Sequence, residues 1–189
     1  MEVSIGIICG IGASLASAIV VLWNRNLKQQ EKVEVLLAET KELTGATLEK
    51  IKERLGGSLI YTQEGSESAA VESNTTIDFY FAKKDGERKG VAIIDVEPGK
   101  WGPVEFIVAM DVKGTVKSVR VLSYEEIRGR PIARTSFMNQ YRDKNVNSTL
   151  TVGKDIVGIS GATISSRSAT FTVKKALVIY EEVYLKKGS

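Results

Sequence analysis

The segment Asp155-Ile156-Val157-Gly158-Ile159-Ser160-Gly161-Ala162-Thr163-Ile164-Ser165-Ser166-Arg167 holds the residues best suited to chemistry in this chain. Its apolar start, Ile156 to Ile159, predicts a short strand that runs into Ser160-Gly161-Ala162-Thr163, with a long helix beginning just after. Thr163 then lies near a helix N-terminus, where free backbone N–H groups and the helix dipole favour a phosphate. Gly161 and Ala162 keep the approach open for a bulky group, and Ser165 and Ser166 can cap the helix or donate to phosphate oxygens. An ordinary capped helix start after a turn explains the same residues, because the serine pair supplies a cap unaided. A threonine hydroxyl is a poor nucleophile without a base, and the chain has no histidine. Thr163 therefore suits an acceptor for a modification made by another enzyme better than a catalyst.

Absences narrow the chemistry further. Without histidine the commonest general base and transition-metal ligand are missing. The one cysteine, Cys9, sits in the apolar N-terminal run, so no disulfide, thiolate zinc site, iron–sulfur cluster or c-type haem is expected. No metal ligands and no catalytic residues stand out, and redox chemistry must come from an organic cofactor. A hydrolase is disfavoured for want of a nucleophile–base pair. Residues 1–28 carry Arg25, Lys28 and Glu2, and the remainder has 24 basic against 22 acidic residues, which gives no electrostatic case for nucleic acid.

The elements that must position Thr163 can be read around it. Val3 to Trp23 is an uncharged run of 21 residues, long enough for a retained transmembrane helix, with Trp23 at an interfacial position. Gly6, Gly10 and Ser14 give that run a small-residue face suited to helix packing in a bilayer. Arg25, Lys28 and Lys32 follow it and nothing basic precedes it, which by the positive-inside rule puts the soluble part in the cytoplasm. Leu27 to about Leu55 is polar and helix-prone, with Val33, Leu36, Leu37, Leu43, Leu48, Ile51 and Leu55 near helical spacing, and a loop follows from Thr62 to Thr75. Hairpins are expected from Ile77–Ala82 with Val91–Val96, and from Val104–Val112 with Thr115–Leu122. Ala133 to Tyr141 suits a short helix; Ser166 to Leu185 suits a long one, with Ala169, Val173, Ala176, Leu177, Tyr180 and Tyr184 along one stripe. Strands in hairpins predict an α+β fold with a largely antiparallel sheet. The expected organisation is a transmembrane anchor (1–26), a helical and loop connector (27–74) and a single domain (75–189).

Ser160-Gly161-Ala162-Thr163-Ile164-Ser165-Ser166 resembles the flavinylation motif of the FMN-binding domain family. Members occur in the G subunit of the Rnf electron-transport complex and the C subunit of the sodium-pumping NADH:quinone oxidoreductase. The resemblance extends from about Thr75 to Leu185. It takes in the hairpins, the Trp101-Gly102-Pro103 turn and Gly114, with an N-terminal membrane helix ahead of them. Tyr124-Glu125-Glu126-Ile127-Arg128-Gly129 is similar to the family's Glu-Thr-Pro-Gly region, with Ile127 and Arg128 in place of Thr-Pro. The resemblance implies FMN held by a phosphoester on Thr163, placed there by a flavin transferase that uses FAD. Ser160, Gly161, Ala162, Ile164, Ser165 and Glu126 are the implied cofactor-binding residues. It further implies an electron-transfer subunit within a membrane respiratory complex, with the domain outside the cytoplasm, against the flanking charges. The family's usual aspartate six residues before the threonine is Val157 here, and the nearest acid is Asp155. A membrane-anchored assembly subunit that keeps the fold without flavin is the alternative, and Val157 is its main support. Thr44-Gly45-Ala46-Thr47 repeats the tetrapeptide without the serine pair, in the stretch expected to be helical.

Other residues have plainer readings. Lys83, Lys84, Arg88 and Lys89 suit a solvated turn, and Tyr80, Phe106, Phe137 and Tyr141 suit a core. Arg128, Arg130 and Arg134 suit either a plain surface or a phosphate.

Overall fold

The computed structural model describes residues 31, 33, 47–54, 59–61, 69–71, 76–99, 102–124 and 130–186. Its frame is a five-stranded antiparallel sheet in the order β1-β4-β5-β6-β7. The strands are β1 (Thr47–Arg54), β4 (Thr76–Lys84), β5 (Glu87–Pro98), β6 (Pro103–Asp111) and β7 (Val116–Tyr124). Two three-residue strands, β2 (Leu59–Tyr61) and β3 (Ala69–Val71), pair separately. A long helix, Thr163–Tyr180, continues as a π-helical turn over Glu181–Leu185. The α+β reading with a largely antiparallel sheet is thus correct for the described part. No helix among the described residues is long and apolar enough to cross a membrane, and Val3 to Trp23, with Gly6, Gly10 and Ser14, lies outside them.

Both expected hairpins are present. Asp85 and Gly86 both take positive φ, 55° and 80°, the conformation that a two-residue turn between twisted strands requires. The β6–β7 turn is organised by Asp111, whose carboxylate accepts the Lys113 and Thr115 N–H groups at 2.9 Å each. In β7 the apolar residues Val116, Val119 and Val121 do not alternate strictly, and the strand's pairing gives the cause. Its pairing with β6 shifts register twice, between Glu105 and Phe106 and between Ala109 and Met110, so Val116 and Val119 are both buried although three residues apart.

One expectation fails in part. Glu31 and Val33 are helical, but Thr47–Arg54 is a strand antiparallel to β4, with Thr47 opposite Lys83 and Arg54 opposite Thr76. Helical spacing misled because this sheet has apolar contacts on both faces. Leu48 packs on one face with Val33, Tyr80, Ala92 and Ile107, while Ile51 packs on the other beside Phe79 and Phe81. A three-residue spacing is what two opposite strand faces produce when each takes one apolar residue.

The long helix lies over the second face. Ala169, Val173, Ala176, Leu177 and Tyr180, the expected stripe, are buried in a cluster that also holds Phe79, Phe81, Val91, Ile93, Phe106 and Val108. Lys175 joins helix to sheet, with its ammonium on the Asp95 and Glu97 carboxylates of β5. Ser168 Oγ adds a bond of 2.7 Å to the Pro98 carbonyl. Tyr80, Phe106, Phe137 and Tyr141 are all buried, as the core reading expected. Around the first hairpin, Lys83 and Arg88 pair with Glu49, and Lys89 with Glu87.

Candidate functional site

Thr163 is the first residue of the long helix and is exposed. What leads into it is a braced loop, not the expected strand. Only Ile156 makes a bridge, a parallel one to Val152, and residues 157–159 are in neither helix nor strand. The base of the loop is held by Asp155. Its carboxylate accepts the Thr151 N–H at 2.8 Å, the Leu150 N–H at 3.1 Å and the Lys144 ammonium at 3.0 Å. Burial pushes this carboxyl up, but the Thr151 amide, Lys144 and the Leu150 amide outweigh it and hold it below the ordinary value of 3.8. Asp155 is therefore committed to structure.

Three further contacts fix the path from Val157 to Thr163. The Gln140 carboxamide pairs with Val157 both ways, accepting its N–H at 2.8 Å and donating to its carbonyl at 3.2 Å. Gly158 passes so close to Val152 that an added Cβ would stand 2.8 Å from Val152 Cγ1. Ser166 Oγ accepts the Ile159 N–H at 3.2 Å and donates to the Ala162 carbonyl at 2.9 Å. Behind the helix start, Thr170 Oγ1 donates to the Ser166 carbonyl at 2.9 Å, which leaves Tyr141 as the donor in the 2.9 Å Tyr141–Thr170 contact. Burial pushes the Tyr141 hydroxyl well up, keeping it protonated for that role.

This arrangement corrects the reading of the serine pair. Ser165 and Ser166 are buried at 2% and 0% exposure, so neither faces the surface that Thr163 occupies. The cap position is Ala162, which has no side-chain oxygen to offer, and no side chain caps the helix. The Thr163 and Ile164 amides therefore lack intrahelical acceptors and face out of the positive end of the helix. Ser160, Gly161, Thr163 and Ile164 are exposed, whereas Ala162 is buried. Gly161 has φ +79°, and nothing among the described residues lies within 4 Å of an added Cβ. Arg167 is exposed one turn beyond Thr163, on the same side of the helix. Glu126 and Arg128 lie outside the described residues, as does Trp101, and of Arg130 only the backbone is described. Among the described residues no group of three or more His, Cys, Asp or Glu is placed to hold a metal ion.

The set fits the phosphate end of FMN: an exposed hydroxyl, uncapped amides beside it, an arginine one turn on and, among the described residues, free space at Gly161 and no base. The sequence pointed to Thr163 and its exposed neighbours, but not to Gln140, which is 17 residues from Val157 and carries no motif.

Residues 99–178 match the FMN-binding domain family, and the chain carries an FMN-binding domain resembling the G subunit of Rnf-type complexes. The G subunit of the proton-translocating ferredoxin:NAD(+) oxidoreductase complex of Clostridium ljungdahlii is 32% identical over 108 residues, 53% of this chain and 58% of the relative. The G subunit of the ion-translocating oxidoreductase complex of Vibrio vulnificus is 27% identical over 159 residues, 77% of this chain and 75% of the relative. The same-named protein of Aliivibrio fischeri is 32% identical over 124 residues, 59% of each chain. The chain thus spans between about half and three quarters of the length of these relatives.

Proposed function

We propose that this chain is an electron-transfer subunit of a membrane redox complex that carries FMN as a phosphoester on Thr163. The observation that carries the reading is the exposed Thr163 hydroxyl at an uncapped helix N-terminus, on a loop braced from inside. Formation of the bond joins Thr163 Oγ to the FMN phosphorus of FAD, breaks the pyrophosphate P–O bond, releases AMP and leaves the hydroxyl proton to solvent. The lack of a base among the described residues around Thr163 fits a separate flavin transferase for this step. Once FMN is attached, the Thr163 and Ile164 amides and Arg167 would hold the phosphate, with Ser160 and Gly161 beside it. Ala162 supplies the cap position and packs inward, and Ile164 offers an apolar surface next to the attachment point, 48% exposed. Ser165 is buried behind the surface that Thr163 occupies, and Glu126 joins the cofactor-binding set by family resemblance. Bound FMN supplies one- and two-electron chemistry.

Val3 to Trp23 would anchor the chain as a single membrane span, with Gly6, Gly10 and Ser14 packing against a helix of another subunit. The domain itself would lie outside the cytoplasm. Peptide mass spectrometry on protein from its native membrane tests the central claim. The Thr163 peptide is expected to carry the mass of an FMN phosphoester, absent from Thr163→Ala; an unmodified Thr163 in an active native complex sinks it. The second reading, an assembly subunit without flavin, rests on Val157 in place of the family's aspartate, its side chain 73% exposed. Flavin-free protein that still joins its complex in the native membrane would favour it.

A further inference from the structure

We propose that Gln140 is a positioning residue for modification of Thr163, holding the backbone on which a flavin transferase must act; this rests on the reading of Thr163 as the acceptor. Val157 is one of the most exposed large hydrophobics among the described residues, and the contacts that hold it there are made through its main chain. That main chain is gripped at both polar groups by one carboxamide, 2.8 Å to the N–H and 3.2 Å to the carbonyl. The remaining Gln140 N–H is within 3.3 Å of the Phe137 carbonyl, so two carbonyl acceptors and one amide donor define which end of the amide is oxygen.

Gln140 is itself held still. It lies in the 3-10 turn Asn139–Tyr141, directly after the short helix Thr135–Met138, between buried Met138 and buried Tyr141. Tyr141 in turn is bonded to Thr170 of the long helix. The helix start is fixed separately, through Ser166 and Thr170. Removing the Gln140 carboxamide therefore frees the main chain at Val157, while Ile159 stays tied to Ser166 and the helix stays in place. The freed stretch is on the face another enzyme meets first, since Val157 and Gly158 are exposed, as are Ser160 and Gly161 beyond them. A transferase that takes the loop in its folded shape loses rate when that shape is populated less of the time.

The test measures initial rates of FMN transfer from FAD onto the detergent-solubilised full-length chain by a purified flavin transferase, followed by intact mass. Wild type is compared with Gln140→Ala and with Gln140→Glu, which keeps an acceptor for the Val157 N–H. Hydrogen exchange of the 157–161 peptide and thermal unfolding are recorded on the same samples. Gln140→Ala is expected to lower the transfer rate about tenfold and to speed exchange at Val157. Gln140→Glu keeps the acceptor but sets a carboxylate oxygen against the Val157 and Phe137 carbonyls, so it is expected to stay folded, transfer slowly and exchange fast at Val157 as well. A Gln140→Ala or Gln140→Glu rate equal to or above wild type, with Val157 exchange raised, overturns the proposal. Loss of rate that unfolding alone accounts for in both variants also overturns it. A wild-type chain left unmodified while a known substrate domain is flavinylated overturns the Thr163 reading itself, and the Gln140 proposal with it.

Discussion

One buried oxygen, Ser166 Oγ, satisfies two backbone groups from opposite sides of the turn that presents Thr163. Ser166→Ala leaves the Ile159 N–H without its acceptor and should cost roughly 1–3 kcal/mol, the range for an orphaned buried polar group, as a lower urea midpoint. The same variant should still accept FMN at Thr163, because Ser166 is buried away from that surface; mass spectrometry checks this second half. The motif made Thr163 legible in the sequence because exposure and helix start follow from the order strand-like run, glycine, threonine, helix. The serine roles were not legible. A serine three residues into a helix can bond forward to a ligand or back to the carbonyl four residues earlier, and only the packing of Ile159 against the helix decides between them. Gln140 was invisible for a different reason: a contact between two loops distant in sequence leaves no local pattern.

Turn chemistry decides the outcome at the level of the elements. Gly86 and Gly114 have nearly equal φ, 80° and 78°, at the tips of successive hairpins. Around Gly86 nothing among the described residues lies within 4 Å of an added Cβ, whereas at Gly114 that atom would stand 3.2 Å from Leu185 Cδ1 and 3.5 Å from Tyr180 Cδ1. Gly86→Ala should therefore cost only the conformational strain, about 1 kcal/mol, while Gly114→Ala adds displacement of the helix end and should cost about 2–3 kcal/mol. Parallel urea titrations of the two variants give the comparison; equal losses would mean that the helix end yields freely. Both hairpins were legible because apolar, strand-prone runs flank turn residues, Lys83 to Gly86 in one and Lys113-Gly114 in the other. β1 was not, since its apolar residues serve opposite faces of the sheet and imitate a helical stripe.

Across the whole molecule, two carboxylates act as bolts. Asp111 secures the β6–β7 turn and Asp155 secures the loop before Thr163. Burial pushes the Asp111 carboxyl up, but the Thr115 amide, Lys117 and the Lys113 amide overcome it and leave it below 3.8, as at Asp155. A carboxyl whose value is lower in the folded than in the unfolded chain stabilises above its unfolded value and loses that contribution as pH falls through the folded one. The stability advantage of wild type over Asp155→Asn should accordingly be large near about pH 6 and shrink toward about pH 3, measured as the difference in unfolding temperature. A constant difference would show that Asp155 acts through its shape alone.

Val33, on the back of the sheet, sits ten residues after Trp23, which closes the uncharged run. However those ten residues are arranged, they span at most about 36 Å. With the run held in a bilayer, as proposed, the sheet is on a short leash fastened to the face opposite the long helix. A redox group on Thr163 would then sweep a small, bounded volume above its neighbours. Its encounters with them would be governed by a fixed local concentration, independent of how much protein the membrane holds.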